Sequence, residues 1–197
     1  MADDLQIFSF EPINAIYDIL SLNSKSFGQS ISTFQMGLSD IEGEAAFNYF
    51  PNVSIMSSKY SNLDYKKSLF RNSLKNQLNK EGKIINNENI IDAVVNSKLQ
   101  SKQVMVQLTT LGSIIEQHRI KKIDLLKIDV EESELEVLDG LRDQDWKIVK
   151  QLVVEVHGLE KKQKIIKLLQ KNHFKVFESV DQALKNTDIV NLYASEL

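Results

Sequence analysis

The chain has 197 residues, 42% of them hydrophobic and 26% charged, which suffices for one domain with a buried core. Its formal net charge is −3 and its lysines are interspersed with acids, so it has no basic stripe and nucleic acid is excluded as a main partner. The absence of cysteine excludes disulfides, thiolate nucleophiles and zinc–cysteine sites. No apolar run approaches the ~20 residues of a membrane span, and the first residues are acidic where a secretory leader is basic, so no membrane partner is expected and the expected location is cytoplasmic.

Taken in chain order, Leu5 to Phe10 reads as a strand that Glu11-Pro12 stops, leaving a carboxylate at its tip. Such an acid either binds the hydroxyls of a diol or serves the turn. Asn14 to Asn23 follows as a helix with Ile16, Ile19 and Leu20 on one side, and Ile31 to Met36 as the next strand, ending in Gly37-Leu38-Ser39-Asp40. Glu42-Gly43 turns into Ala45 to Phe50, which Pro51 ends, and Asn52-Val53-Ser54 is a polar loop. Residues 61–103 are rich in Lys, Asn, Gln and Ser. Helical spacing at Leu69, Leu74 and Leu78, and again at Ile90, Ile91, Val94 and Val95, predicts two helices joined by a turn at Gly82. This insert is either a lid or a polar segment without a role.

Val104 to Leu108 reads as a short strand and Thr110 to His118 as a helix. The run from Ile123 to Glu131 is the most informative. Leu125, Leu126, Ile128 and Val130 are apolar enough for a strand covered on both faces, and Ser133 to Leu138 then begins a helix. Gln151 to His157 repeats the design, with Glu155 inside the strand and His157 at its end. Period-2 geometry points Asp129 and Glu131 together, and likewise Glu155 and His157, so two neighbouring tips offer four polar groups to one crevice beyond the carboxyl ends of the strands. The competing reading is that each acid caps a helix or pairs with a lysine, and that His157 is a hydrogen-bonded structural histidine. Lys161 to Leu169 is a helix, and Phe174 to Glu178 and Ile189 to Ala194 are the last two strands.

Several of these segments, in this order, resemble one known family. Phe8-Ser9-Phe10-Glu11-Pro12, Gly37-Leu38-Ser39-Asp40, Pro51-Asn52-Val53-Ser54, Thr109-Thr110-Leu111, Ile123 through Glu131, Val154-Glu155-Val156-His157 and Thr187 through Ala194 are similar to motifs of the FkbM methyltransferases. The resemblance implies a Rossmann-like α/β sheet, mostly parallel with an antiparallel last strand, over a single domain of residues 1–197. It implies S-adenosylmethionine as cofactor, with Glu11 on the ribose and Ser39 and Asp40 near the adenine. Glu131, Asn52 and Ser54 fall on the acceptor side, the acceptor being a small molecule, a carrier-bound polyketide or peptide, or a saccharide. It also implies a first strand with a glycine-rich turn ahead of Leu5. The seven glycines, at 28, 37, 43, 82, 112, 140 and 158, include no such turn. The expectation is therefore a truncated piece whose first strand and helix are missing, to be supplied by a longer chain or a partner, or else an inactive remnant.

Methyl transfer to a hydroxyl needs a base for the hydroxyl proton. His157 suits it, with an ordinary pKa of ~6.5, and Glu155, two residues back, is expected to orient its ring while Asp129 positions acceptor or cofactor. A second possibility is a hard divalent ion held by Asp129, Glu131, Glu155 and His157. The resemblance calls for no metal, and none is assigned. One departure from the family is Glu132-Ser133 where many members have Gly-Ala; a further acid there is expected to raise the pKa of Asp129 and Glu131 by repulsion.

Overall fold

The computed structural model describes residues 5–27, 30–60, 62–80, 82, 87–180 and 187–196. β1 (Ile7–Phe10), α1 (Asn14–Lys25) and β2 (Ile31–Phe34) form a parallel βαβ unit in which Ile7 faces Ile31 and Phe10 faces Phe34. A second ladder has β5 (Lys102–Thr109) at its centre, parallel to β3 (Gly37–Leu38) and antiparallel to β4 (Gly43–Tyr49). Between β4 and β5 run α2 (Leu63–Lys80) and α3 (Glu88–Lys98), the two helices expected in the insert; most of the turn expected around Gly82 lies outside the described residues. Leu69, Phe70 and Leu74 of α2 close on Phe50, Met56, Ile91, Val95 and Leu99 as a small core of their own. Ile90 and Val94, counted above into the same helical stripe, face solvent.

The third sheet has the order β6-β7-β9-β8, from β6 (Leu126–Ile128), β7 (Gln151–His157), β8 (Phe174–Ser179) and β9 (Ile189–Glu196). β6 and β7 are parallel, joined by a crossover through α5 (Glu134–Asp139), whereas β9 runs antiparallel to both of its neighbours. α4 (Leu111–Gln117) and α6 (Leu159–Lys171) complete the elements. Leu152, Val154 and Val156 of β7 are at most 1% exposed, and they meet Val137 and Leu138 of α5 and Ile165 and Leu169 of α6 in the main core. Each such side chain contributes roughly 1.5–3 kcal/mol by leaving water. α4 begins at Thr110, whose Oγ1 accepts the Ser113 N–H at 3.0 Å, and α5 ends at Gly140, where a Cβ would overlap the carbonyl oxygen of Ser39. No helix among the described residues is long and apolar enough to cross a membrane.

Two expectations are corrected here. The fold is mixed α/β, but the described strands form three separate ladders in which three pairings are parallel and three antiparallel, so the sheet is not mostly parallel. The antiparallel share comes partly from β5, which the α2–α3 excursion returns alongside β4 in the opposite direction, and partly from the closing strand β9. The strand at Ile123 to Glu131 is also shorter than its apolar content suggests. Pairing stops at Ile128, and Leu125 is 57% exposed, so the run is not covered on both faces.

Candidate functional site

β7 ends in His157, which is 4% exposed because the first turn of α5 lies against this end of the strand. Glu134, at the first turn of α5 and 0% exposed, places Oε1 2.7 Å from His157 Nδ1. The same oxygen accepts the Glu132 N–H at 2.9 Å, and Oε2 lies 3.0 Å from Lys161 Nζ on α6. A carboxylate at Nδ1 makes that nitrogen the donor and leaves Nε2 as the acceptor of the neutral ring. Nε2 stands 3.5 Å from Glu131 Oε2.

Glu131 does not arrive there by strand geometry. It and Glu132 have φ of 48° and 81°, left-handed values that cost a side-chain-bearing residue about 1–2 kcal/mol each. This turn swings the Glu131 carboxylate across to the neighbouring tip. Oxygens of Glu131 and Glu155 and a ring nitrogen of His157 lie within 4.8 Å of one another, the spacing among described residues that could hold a metal ion.

The electrostatics follow from burial and crowding. Burial pushes the Glu131 carboxyl up to about 7; the His157 and Lys66 charges pull against this, while Asp129 and Glu155 add to it. Burial likewise raises Glu155, with Asp129 reinforcing it. Burial alone would depress His157, but the Glu134 hydrogen bond and the Glu131, Glu134 and Glu155 charges lift the imidazole above its ordinary value. For Glu134 burial acts upward and is outweighed by His157 and Lys161, which hold it below the usual carboxylate range.

His157 opens on a hollow of about 500 Å³ walled by Tyr60, Tyr65, Glu132, Glu136, Lys161 and Asp188, among others. Two phenols bind its acids: Tyr65 Oη donates to Asp188 Oδ1 at 2.7 Å, and Tyr60 Oη donates to Glu136 Oε1. α2 also supplies Lys66, 1% exposed, whose Nζ donates to Met56 O and Ser58 Oγ at 2.9 Å each and lies 3.3 Å from Glu132 Oε1.

Of the residues named from sequence, His157, Glu131 and Glu155 come together. Asp129 stays at the rim, its side chain 42% exposed and paired with Lys127 at 2.7 Å. The ring is oriented by Glu134, which holds Nδ1 at 2.7 Å, while Glu155 acts on it through its charge. Asn52 and Ser54 are not in the hollow: Asn52 is exposed, with Nδ2 3.5 Å from Ser97 O, and Ser54 opens a 3-10 turn. The part of that loop that reaches the site is Ser58 to Tyr60. Glu11 is half-buried, its Oε1 accepting the Ile13 N–H at 2.8 Å and its carboxyl raised by burial against that bond. The Gly37 segment packs against the next residue, Pro12, whose Cβ would stand 3.5 Å from a Cβ on Gly37. Ser39, 4% exposed, donates to Asp40 Oδ1 at 3.0 Å and packs against Gly140, whereas Asp40 is exposed. Glu131 is raised, as expected, but by burial with Asp129 and Glu155 adding to it, while Glu132 faces Lys66.

Sequence reasoning missed Glu134, Lys66 and Lys161. For Lys66 the signal was available: it lies three and four residues before Leu69 and Phe70, on the inward stripe of α2, where a lysine has to find a partner.

Comparison with known proteins bears on this geometry. The profile described as "Methyltransferase FkbM domain" matches residues 5–186. The chain is 32% identical to the AMB antimetabolite synthetase AmbE of Pseudomonas aeruginosa, over 96% of this chain and 9% of that protein. It is 32% identical to methyltransferase sdnD of Sordaria araneosa, over 76% of this chain and 56% of that one. It is 27% identical to the 31-O-demethyl-FK506 methyltransferase FkbM of Streptomyces tacrolimicus, over 93% and 68%. The chain thus spans 9% and 56% of the first two relatives' lengths. No solved structure matches it. With a family match over nearly all of its described residues, this chain belongs to the FkbM methyltransferase domain family.

Proposed function

We propose that this chain is an S-adenosylmethionine-dependent O-methyltransferase domain of the FkbM type with a Rossmann-like sheet, methylating a hydroxyl of a small-molecule, carrier-bound or saccharide acceptor. The observation that carries the proposal is the buried imidazole whose Nδ1 is held by Glu134 at 2.7 Å while Nε2 faces Glu131 at 3.5 Å beside an open hollow. An acceptor hydroxyl in that hollow would give its proton to Nε2 while its oxygen took the methyl group that a bound cofactor would supply, the carbon–sulfur bond breaking to leave a neutral thioether. The imidazolium is then flanked by Glu134 and Glu131, and a base raised by such partners holds the proton firmly. Glu131, pushed up to about 7 and 3.5 Å from Nε2, shares this proton near neutrality. Glu155 and the rim acid Asp129 keep the tip negative, and α2 with α3 forms the lid over the hollow.

The cofactor supplies an electrophilic methyl group on a sulfonium. Among the residues named for it, Glu11 fits, since the Ile13 N–H uses one carboxylate oxygen and the other suits a ribose diol. Exposed Asp40 also fits, whereas the hydroxyl of Ser39 is engaged by Asp40 and holds that loop in shape.

Calorimetric titration of the 197-residue chain with S-adenosylmethionine tests the reading. Micromolar binding is expected for the wild type and for His157→Ala, and weaker binding for Glu11→Ala. Absence of binding to the wild type would overturn the methyl-donor reading in favour of a domain that keeps the fold without the chemistry. Transfer of labelled methyl by His157→Ala at the wild-type rate would remove the histidine as base.

A further inference from the structure

The conformation at Glu132 raises a question that the transfer reaction does not answer. A residue with φ of 81° ordinarily is glycine, yet here it carries a carboxylate with a side chain only 17% exposed. Opposite it stands Lys66 of α2, with a side chain 2% exposed. An unpaired ammonium at that depth would be costly, and so would an unpaired carboxylate. Lys66 Nζ has three oxygen neighbours: Met56 O and Ser58 Oγ at 2.9 Å, and Glu132 Oε1 at 3.3 Å. The first two fix the ammonium independently of the turn, so the third contact ties the turn to a fixed point.

The consequence reaches the histidine by two routes. The Glu132 N–H donates to Glu134 Oε1 at 2.9 Å, the oxygen that also holds His157 Nδ1 at 2.7 Å. Glu131, one residue earlier and also left-handed, faces Nε2. If Glu132 relaxed to an extended backbone, that N–H and the Glu131 side chain would both be redirected, and the imidazole would lose one carboxylate at each nitrogen or keep only Glu134.

We propose that Lys66 is a positioning residue for the histidine site: its internal ion pair with Glu132 holds the left-handed turn at Glu131–Glu132 and thereby keeps the Glu131 carboxylate against His157 Nε2. The inference rests on His157 as the reacting base, but its test needs neither methyl donor nor acceptor, so the two readings fail separately. The charged groups acting on His157 are Glu131 from the turn, Glu134 from α5 and Glu155 from β7; Lys161 from α6 pairs with Glu134, and Lys66 from α2 with Glu132.

The experiment is NMR titration of the His157 ring in the full chain, assigned by comparison with His157→Ala. Glu131→Gln sets the scale: loss of a carboxylate beside the ring lowers the midpoint by about one unit or more. Two variants of equal net charge then separate the turn from the charge. In K66M/E132G the pair is gone but glycine accepts the left-handed backbone, and the midpoint is expected to stay at the wild-type value. In K66M/E132A the pair is gone and alanine resists that backbone, and the midpoint is expected to fall by at least half of the Glu131→Gln shift. A wild-type midpoint in K66M/E132A, or equal losses in both, would overturn the proposal. Where the alanine variant does not fold, K66M/E132N replaces it: asparagine tolerates the left-handed region, so a folded protein with the wild-type midpoint is expected, and a lost midpoint or an unfolded chain overturns the inference.

Discussion

Glu131→Gln should make the protein more stable above neutrality, although it removes a contact to the histidine. The carboxyl titrates near 4.5 in the unfolded chain and at about 7 in the fold. Between those values the native state binds a proton that the unfolded chain has released, so unfolding becomes easier as pH rises. The contribution is fully present below pH ~4.5 and is lost as pH passes through ~7. A difference of ~2.5 units corresponds to ~3 kcal/mol at ~1.36 kcal/mol per unit. The side chain is 21% exposed and has an imidazole neighbour, so about 2 kcal/mol is the expected net effect. Glutamine keeps the shape and cannot ionise. Urea unfolding of both proteins at pH 5 and pH 8 is the assay. Glu131→Gln should match or fall slightly below the wild type at pH 5, and exceed it by about 2 kcal/mol at pH 8, or ~4–8 °C in melting temperature for a chain of this size. A variant that is less stable than wild type at pH 8, or that loses as much stability between the two pH values, would refute the reasoning.

Glu134→Gln should act in the opposite sense. Its carboxylate is held below the usual range, so its stabilisation is present above pH ~4.5 and is lost as pH falls through its lowered folded value; the variant should be ~3 kcal/mol less stable at pH 7, with the deficit closing in acid, as read by the same unfolding series. Gly140→Ala places a methyl against the Ser39 carbonyl, a backbone atom that cannot step aside, and should cost ~1–3 kcal/mol in a thermal melt. Thr110→Ala removes the oxygen that accepts the Ser113 N–H at the start of α4 and should cost about 1 kcal/mol, measured in the same way.

What the sequence disclosed and what it concealed divide along a physical line. β7 was readable to the residue because alternation, an acid and a terminal histidine all act within seven positions of chain. The helices of the insert were readable from spacing alone, since α2 and α3 each present one apolar stripe to the same small core. β6 was not, because apolar content reports burial and not pairing, and pairing there ends at Ile128, ahead of the left-handed turn at Glu131 and Glu132. The meeting of Glu131 with His157 was foreseen from the right neighbours for an incomplete reason: the strands are adjacent and parallel as expected, but the turn brings the carboxylate across.

The partner of the ring was hidden differently. An acid in the first turn of a helix ordinarily faces water and the helix dipole, so nothing local distinguishes Glu134 from Glu136. Only the approach of the β7 tip, 23 residues along the chain, makes the first a fully buried ligand of the imidazole and leaves the second to meet Tyr60 at the edge of the hollow. Because the crossover through α5 forces β6 and β7 to run the same way, the start of that helix must pass over the end of the returning strand. A polar residue at the end of β7 therefore meets whichever acid opens α5, and this pairing can be looked for wherever an acid-rich strand, a short helix and a histidine-tipped strand follow one another.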